Sequence, residues 1–236
     1  MGTIINSIAV LVGASLGLVF KKFIKEDISK TLLKIMGVCI IITGVSGTLS
    51  NTLTVEATKL VSNGTLMIII SLVSGGCIGE CLKIDDRINT IGAKIENKFK
   101  LGNFSTGFIE ASLLYCIGAM TIVGCINDGI LGDSSILILK ACLDGIASVF
   151  LSASLGIGVL FSAFAVLIIQ GILTISATLL APYATPLMIE SLCRVGYTIV
   201  LIIGLNMANC TKIKTANLIP ALLVPIIWIL LGIEVY

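Results

Sequence analysis

Eight long apolar segments, separated by short polar connections, run along almost the whole chain. A transmembrane helix needs about 20 apolar residues, so each segment can cross a bilayer. The fifth and sixth segments are divided only by Gly156 and Gly158, so seven spans are the alternative to eight. The segments cover residues 4–20, 32–50, 64–82, 104–126, 135–155, 157–179, 187–208 and 216–234. This pattern predicts an all-α integral membrane protein with about eight transmembrane helices.

The composition agrees with this interpretation and leaves no room for a separate soluble domain. Hydrophobic residues make up 57% of the chain and charged residues 12%, and the mean hydropathy is +1.14. A soluble domain carries about 25% charged residues. We therefore expect one polytopic domain over residues 1–236, with the lipid bilayer as its first partner.

Basic residues concentrate in alternate connections. The first, third and seventh connections are rich in Lys and Arg, whereas the second holds only Lys59 and the fourth has none. Because cytoplasmic loops carry an excess of Lys and Arg, we expect the odd connections to face the cytoplasm and both termini to lie outside. The basic residues are Lys21, Lys22, Lys25, Lys30, Lys34, Lys83, Arg87, Lys94, Lys98, Lys100, Lys212 and Lys214.

The third connection has a helical pattern of its own. Ile84, Ile88, Ile91, Ile95 and Phe99 recur at helical spacing, with charged residues elsewhere on the cylinder. Such a pattern is typical of an amphipathic helix at a membrane interface. We expect this helix over residues 84–100 on the cytoplasmic side. It is either a linker packed on the bundle, or a gate or lipid sensor.

Two short stretches near the start of the chain are echoed in its second half. The sequence from Gly13 to Phe20 resembles that from Ser152 to Phe161, and a second echo follows in the next segment. Transporters are often built from such repeats. Two four-helix repeats, in residues 1–126 and 135–236, are therefore one expectation, and chance likeness between apolar sequences is the other.

Small residues and prolines predict local features of the helices. Gly13 and Gly17, and likewise Gly75 and Gly79, are one helical turn apart, which lets two helix backbones approach closely. Pro220 and Pro225 fall in the last apolar segment, where we expect a kink.

Polar residues inside the apolar segments are the main candidates for function. A charge near the bilayer centre costs roughly 2.5–3.5 kcal/mol, so such residues usually face a protein interior or a water-filled path. Asp144 lies roughly 13 Å from the outer end of its predicted helix, close to the midplane. Glu110 has no partner nearby in sequence, which makes it the sharper candidate for binding a proton or a cation. We assign nine residues to an ion or solute pathway: Glu80, Glu110, Asn127, Asp128, Asp133, Lys140, Asp144, Gln170 and Asn206.

A structural role is the alternative for several of these charges. Lys140 and Asp144 are spaced i,i+4, and so are Glu190 and Arg194, so each pair can form on one helix face. Such pairs would join helices rather than bind a transported solute, and Glu80 would then only anchor the headgroup boundary.

Motifs for catalysis and cofactor binding are missing from the sequence. The chain has no Walker loop, no nucleophile elbow and no histidine. Its eight cysteines therefore lack the histidine partners of a mixed zinc set, and we expect them to be small packing residues. No basic face suits nucleic acid. We expect neither an enzyme nor a cofactor, and no nucleic-acid partner.

Several motifs together resemble one known family. They include the block from Cys116 to Gly124, Asn127-Asp-Gly-Ile-Leu-Gly-Asp133, Leu143-Asp-Gly145 and Asn217-Leu-Ile-Pro-Ala221. With the opening Met1-Gly-Thr-Ile-Ile-Asn6, these motifs are similar to the YqgA-like family of bacterial multi-pass membrane proteins, the domain of unknown function 554. The resemblance covers nearly the whole chain and implies a location in the bacterial inner membrane, but it supplies no substrate.

Two functional hypotheses follow from these residues. The first is a transporter or channel for a small cation or a cation-coupled solute, with the intramembrane carboxylates as its binding groups. The second is a membrane scaffold or sensor that transports nothing and whose buried charges are structural. The expected partners are the lipid bilayer and a small solute or ion, and a homo-oligomer is left open.

Overall fold

The computed structural model describes residues 1–21, 26–56, 59–99, 104–116, 119–180, 182 and 185–232, and these residues are almost entirely helical. The elements, in chain order, are α1 (Gly2–Lys21), α2 (Glu26–Thr52), β1 (Leu53–Glu56), β2 (Lys59–Ser62), α3 (Thr65–Leu82), α4 (Ile84–Phe99), α5 (Phe104–Cys116), α6 (Ala119–Ile130), α7 (Ser135–Leu155), α8 (Gly158–Ile175), α9 (Ala177–Leu180), α10 (Pro186–Met207), a 3-10 helix (Thr215–Leu222) and α11 (Leu223–Leu230). The predicted all-α membrane fold is confirmed.

Six helices in the described part of the chain are long and apolar enough to cross a membrane. They lie in α1, α2, α3, α7, α8 and α10. The predicted fourth segment consists of two shorter helices, α5 and α6, whose axes differ by 62° and which together would make a seventh span. The predicted eighth segment, 216–234, overlaps a shorter apolar stretch, Thr215–Leu230.

The chain divides into two compact units, and each draws on both halves of the sequence. The first unit comprises Met1–Met36 and Ile88–Tyr183, and the second comprises Gly37–Arg87 and Ala184–Tyr236. The unit boundaries therefore do not coincide with the predicted repeat halves, 1–126 and 135–236. The single-domain and repeat interpretations both stay predictions.

In the first unit, α1 packs along α7 in the same direction. A Cβ added at Gly13 would lie 2.2 Å from the carbonyl oxygen of Gly145, and one added at Gly17 would lie 2.0 Å from that of Val149. No side chain larger than hydrogen fits at either position, so the close helix packing predicted from this glycine pair is confirmed. Fully buried apolar residues, such as Val10, form the core around this contact.

In the second unit, α3 packs against the 3-10 helix in the opposite direction. A Cβ at Gly75 would lie 2.4 Å from Ala221 Cα, and one at Gly79 would lie 1.9 Å from the carbonyl oxygen of Asn217. This confirms the second glycine pair. Pro220 lies inside the 3-10 helix, and regular α-helix resumes only at Leu223. The proline thus coincides with a change of helix type, because it lacks the amide hydrogen that an α-helical turn requires.

The predicted division between the fifth and sixth segments is also confirmed. The first of the two helices, α7, ends at Leu155, and α8 begins at Gly158. Gly156 between them has a φ of +88°, a conformation that favours glycine. A Cβ at Gly158 would lie 2.1 Å from the carbonyl oxygen of Phe104, so the tight turn lets α8 begin directly against α5.

A β-hairpin between α2 and α3 was not predicted. Strands β1 and β2 pair in antiparallel register, from Leu53 opposite Ser62 to Glu56 opposite Lys59. The Asn63 amide then donates a 2.8 Å hydrogen bond to the Thr52 carbonyl, which holds the ends of the hairpin together. Each strand is only four residues long. Alternation of apolar and polar residues over so short a stretch does not distinguish a strand from an ordinary polar connection.

Large apolar side chains cover much of the outer surface of the helices. Ile8, Ile42, Val73, Ile146 and Phe164 are all more than half exposed in the protein alone. A water-soluble protein rarely exposes so much contiguous apolar surface. These side chains therefore contact the lipid bilayer.

Part of the predicted cytoplasmic surface lies outside the described residues. Helix α4 confirms the helix predicted over 84–100, although the structure does not describe the side chains of Ile91, Ile95 and Phe99 or the position of Lys100. Lys22, Lys25 and residues 233–234 of the predicted eighth segment also lie outside the described range.

Candidate functional site

Four polar side chains meet in the middle of the first unit. Lys140 and Asp144 form the predicted i,i+4 ion pair on α7, and both residues are buried. Asn6 on α1 donates from Nδ2 to Asp144 Oδ2 at 3.0 Å and to Gln170 Oε1 on α8 at 3.2 Å. Asn6 and Gln170 are fully buried. We call these four residues the central cluster.

The charge of Asp144 fixes the orientation of the two amides. An ionised carboxylate only accepts hydrogen bonds, so Asn6 must turn its NH₂ group toward Asp144. The same NH₂ group reaches Gln170, which must therefore present its oxygen. The two remaining amide atoms, Asn6 Oδ1 and Gln170 Nε2, are buried and have no hydrogen-bond partner among the described residues.

Hydrogen bonds on either side of the central cluster fasten α1 to α8. Thr3 Oγ1 and Thr174 Oγ1 lie 3.1 Å apart, and Ser7 Oγ donates to the Ala163 carbonyl at 2.8 Å. Since the glycine contacts hold α1 against α7 on another side, Asn6 is positioned by two helices at once.

Polar contacts continue from the central cluster toward the break between α5 and α6. Ser148, one turn after Asp144 on α7, donates to the Tyr115 hydroxyl at 2.9 Å. Tyr115 lies next to the last residue of α5, and its carbonyl accepts a 3.3 Å hydrogen bond from Thr121 of α6. The break in the predicted fourth segment therefore lies beside the central cluster rather than at the end of the span.

Glu110 lies on α5, five residues before Tyr115. Five residues of helix correspond to about 7.5 Å. Glu110 is therefore closer to the predicted cytoplasmic end of the span than the central cluster is. The residue is only 9% exposed, and its Oε2 atom is buried with no hydrogen-bond partner in the described part of the chain. A buried carboxylate without a partner is unfavourable unless a proton or a cation neutralises it.

A second polar group lies where α6 ends and α7 begins. The side chain of Asp128 is only 2% exposed, accepts a hydrogen bond from Ser134, and lies 3.0 Å from the Met1 amino group. Asp133 is exposed and accepts hydrogen bonds from the backbone and hydroxyl of Ser135, which hold the pKa of its carboxyl below the usual range. Asn127 is half-buried on α6.

The remaining two predicted site residues belong to the second unit. Glu80 is exposed near the end of α3, where it accepts a 2.5 Å hydrogen bond from Asn217. Asn206, near the end of α10, accepts from the Thr211 hydroxyl and the Ile213 amide and donates to the Ile213 carbonyl, so it holds a loop in place. Lys214 binds Asp86 at 2.9 Å, and this contact raises the pKa of the lysine.

The second predicted ion pair of spacing i,i+4 also forms. Arg194 and Glu190 lie 3.5 Å apart on α10. The buried Arg194 guanidinium also donates a 2.5 Å hydrogen bond to the Asn51 carbonyl at the end of α2. This arginine therefore ties α10 to the last turn of α2.

The structure thus divides the nine predicted site residues between the units. Lys140 and Asp144 bind each other directly, and Asn6 joins Gln170 to Asp144. Four more of the nine belong to the same unit: Glu110, Asn127, Asp128 and Asp133. Glu80 and Asn206 belong to the other unit. The assignment of all nine to a pathway stays a prediction.

Sequence reasoning missed three members of this polar arrangement. Asn6 is a polar residue inside the first apolar segment, and that interruption was the available signal. Ser148 and Tyr115 gave no signal, because serine and tyrosine are common in apolar helices and only the fold brings them together. In the described residues no group of three or more Cys, Asp or Glu could hold a metal ion.

Comparisons with known proteins identify the family. The family model for proteins of unknown function DUF554 matches residues 1–230. The uncharacterized membrane protein YdfK of Bacillus subtilis (strain 168) is 31% identical over 224 residues, which cover 95% of this chain and 93% of YdfK. The uncharacterized protein YqgA of Escherichia coli (strain K12) is 30% identical over 230 residues, which cover 94% of this chain and 93% of YqgA. No solved structure matches the chain significantly. The family predicted from the sequence is confirmed, and the chain is a multi-pass bacterial membrane protein that belongs to the DUF554 family.

Proposed function

We propose that the protein transports a small cation or a cation-coupled solute, and that the first unit carries the transport path. The observation that carries this proposal is the central cluster, in which the buried side chains of Asn6, Lys140, Asp144 and Gln170 meet between three apolar helices. Charged and amide side chains at that depth are costly and usually mark the path of an ion or substrate.

The break between α5 and α6 supports the same proposal. The axes of these helices differ by 62°, and the last turn of α5 is bonded to α7 through Tyr115 and Ser148. Transporter binding sites near the midplane are typically formed by discontinuous helices.

Glu110 supplies the carboxylate that binds and releases the transported or coupling cation. Its burial and its unpaired Oε2 atom support this role, since a proton or a cation would satisfy a group that protein donors leave open. In this scheme the central cluster selects the solute, and Glu110 couples transport of the solute to movement of the cation.

The alternative is a membrane scaffold or sensor whose buried charges only join helices. The ion pair itself favours this alternative, because Lys140 and Asp144 neutralise each other on one helix. Glu110 separates the two functions, since a purely structural account gives its unpaired oxygen no role.

We also propose eight spans, with α5 and α6 together as the fourth, Thr215–Leu230 within the eighth, and both termini outside. The parallel direction of α1 and α7 supports this order, because both helices would then begin outside. An alkaline-phosphatase fusion to the C-terminus should be active and a green-fluorescent fusion dark. The opposite pattern would refute the eight-span topology.

Two further predictions concern an internal duplication and a homo-oligomer, and both remain proposals. A duplication of four spans would make α1 and α7 equivalent helices, and their direct packing is consistent with that relation. A homo-oligomer would be tested by the mass of the purified protein in detergent, measured by light scattering.

Replacement of Glu110 by glutamine tests the transport function. Purified wild-type protein in liposomes should carry proton, sodium or potassium flux, alone or with a solute. Glu110→Gln should abolish that flux while folding is retained, because the amide keeps the shape of the carboxylate and loses its charge. Glu190→Gln removes a carboxylate of the second unit, and this control should transport as wild type does. Glu80→Gln shows whether the exposed carboxylate also belongs to the path. Wild-type flux in folded Glu110→Gln protein from pH 5 to pH 8 would refute the proposed role of Glu110.

A further inference from the structure

The central cluster contains one unused donor and one unused acceptor. Gln170 Nε2 and Asn6 Oδ1 lack partners among the described residues, and both side chains are 0% exposed. Exchanging nitrogen and oxygen in either amide does not solve this, because Asp144 requires the NH₂ group of Asn6. The cluster can therefore form further hydrogen bonds with a bound molecule.

The charges of the cluster argue against a bare cation as its ligand. Asp144 would attract a cation, but the Lys140 ammonium lies in contact with the same carboxylate oxygen and would repel it. A bare anion meets the reverse problem. A solute that carries both a positive and a negative group can satisfy both residues, because it adds no net charge to a buried site.

We propose that the central cluster binds a small zwitterionic solute of the α-amino acid class. Its ammonium group would bind Asp144 and Asn6 Oδ1, and its carboxylate would bind Lys140 and Gln170 Nε2. The Lys140 ammonium has three N–H donors and uses one of them in the ion pair with Asp144. It can therefore donate to a second acceptor, the carboxylate of the solute. This inference rests on the proposed transport function and names its solute, while the coupling cation belongs to Glu110.

A single buried water molecule is the competing occupant. One water can donate to Asn6 Oδ1 and accept from Gln170 Nε2, as buried waters do in many proteins. The two occupants differ in an observable way, since a water needs no added ligand, whereas stabilisation by an amino acid grows with the logarithm of its concentration above the Kd.

The test measures binding with the full-length protein in detergent. Thermal unfolding is followed with glycine, L-alanine, L-serine or L-leucine, and separately with sodium, potassium or choline chloride. We expect at least one amino acid to raise the unfolding temperature of the wild-type protein, with a dependence on its concentration that gives an apparent Kd. Gln170→Met removes both the free donor and the oxygen that accepts from Asn6, at nearly constant volume, and should weaken binding so that the apparent Kd rises at least tenfold.

Two further variants keep the test decisive. Gln170→Glu retains the oxygen that accepts from Asn6 and replaces the free donor with a negatively charged acceptor. It should therefore lose amino acid binding too, and it provides the test if Gln170→Met fails to fold. Thr174→Val removes the neighbouring 3.1 Å contact between α1 and α8 without touching the cluster, and its affinity should stay within twofold of wild type.

The proposal is overturned if no amino acid in the panel stabilises the wild-type protein, or if both Gln170 variants bind it as wild type does. Stabilisation by the salts alone would overturn it as well. Binding of an amino acid without any flux in liposomes would support the zwitterion site and refute transport. Cation flux without amino acid binding would support transport and refute the zwitterion site.

Discussion

In the first unit, buried charged and amide side chains bind one another, whereas in the second unit the buried Arg194 side chain binds a backbone carbonyl at a helix end. In the second unit, Arg194 binds the carbonyl of Asn51, and Asn206 holds a loop. In the first unit, polar side chains bind one another, as in the contacts of Asp144 with Lys140 and Asn6. Backbone groups at helix ends need partners in any fold, so the polar contacts of the second unit are explained by folding alone.

The unpaired atoms show the same difference between the units. In the described part of the chain, the buried carboxylate and amide atoms that lack a partner belong to Asn6, Glu110 and Gln170 of the first unit. The corresponding atoms of the second unit are hydroxyls, those of Thr52 and Ser71. Hydroxyls are less costly to leave unpaired than a carboxylate, because they carry no charge. This difference supports our proposal of ligand binding in the first unit, in which the second unit has a supporting role.

The largest effect should come from breaking the ion pair of the first unit. Lys140→Met leaves Asp144 buried without its counter-charge, and Asp144→Leu leaves Lys140 in the same state. Each single change should destabilise the protein by about 3–5 kcal/mol, and the double variant should recover most of this loss. The loss is measured as unfolding temperature and yield in detergent. Simple additivity of the two single effects would mean that the pair does not contribute as a unit.

A smaller effect should follow from the buried arginine of the second unit. Arg194→Met removes the hydrogen bond to the Asn51 carbonyl and the ion pair with Glu190. We expect a loss of about 1.5–3 kcal/mol, the usual range for hydrogen bonds to charged groups, with the flux per folded protein unchanged. The measurement is the unfolding temperature together with liposome flux. A folded Arg194→Met protein without flux would break the division of roles between the units.

The glycine contacts should be equally sensitive in both units. Gly17→Ala and Gly79→Ala force a methyl group to within about 2 Å of a backbone carbonyl oxygen, at Val149 and Asn217 respectively. Each should cost about 1–3 kcal/mol through overpacking. Gly171→Ala is the matched control, since its added Cβ has no atom within 4 Å and alanine is the better helix former. If Gly171→Ala lowers the unfolding temperature as much as the other two changes, close helix contact is not the cause.

The smallest effect should appear at the loop between α6 and α7 in the first unit. The lowered pKa of Asp133 means that its hydrogen bonds to Ser135 stabilise the fold at neutral pH and are lost as the pH falls below about 4. Asp133→Ala should therefore unfold at a slightly lower temperature than wild type at pH 7, and this difference should shrink as the pH falls toward 3. A difference that stays constant with pH would exclude the carboxylate as its source.

The elements that follow from local sequence rules were predicted correctly. Apolar segments long enough to cross a bilayer have few alternatives, because every buried backbone group must be bonded within the segment. The i,i+4 pair of Lys140 and Asp144 and the glycine pairs at Gly13 and Gly75 also follow from helix geometry alone.

The features that depend on contacts between distant segments could not be predicted. Nothing near Asn6 in sequence indicates that it meets Asp144 and Gln170, which lie 138 and 164 residues away. The break after Cys116 was missed because residues 104–126 read as one continuous apolar stretch. The hairpin at Leu53–Ser62 was missed because two short paired strands stabilise each other and neither is distinctive alone.

The parallel packing of α1 against α7 has a consequence for biosynthesis. When α1 leaves the ribosome and enters the membrane, α7 and α8, which carry the partners of Asn6, have not yet been made. Until then the Asn6 amide lies in lipid or in the insertion machinery without these hydrogen bonds. Lys140 and Asp144 arrive together on one helix and can neutralise each other during insertion. These two charges thus enter the bilayer as a neutral pair, and the neutral amide of Asn6 is the group that lacks its partners until α7 and α8 are made.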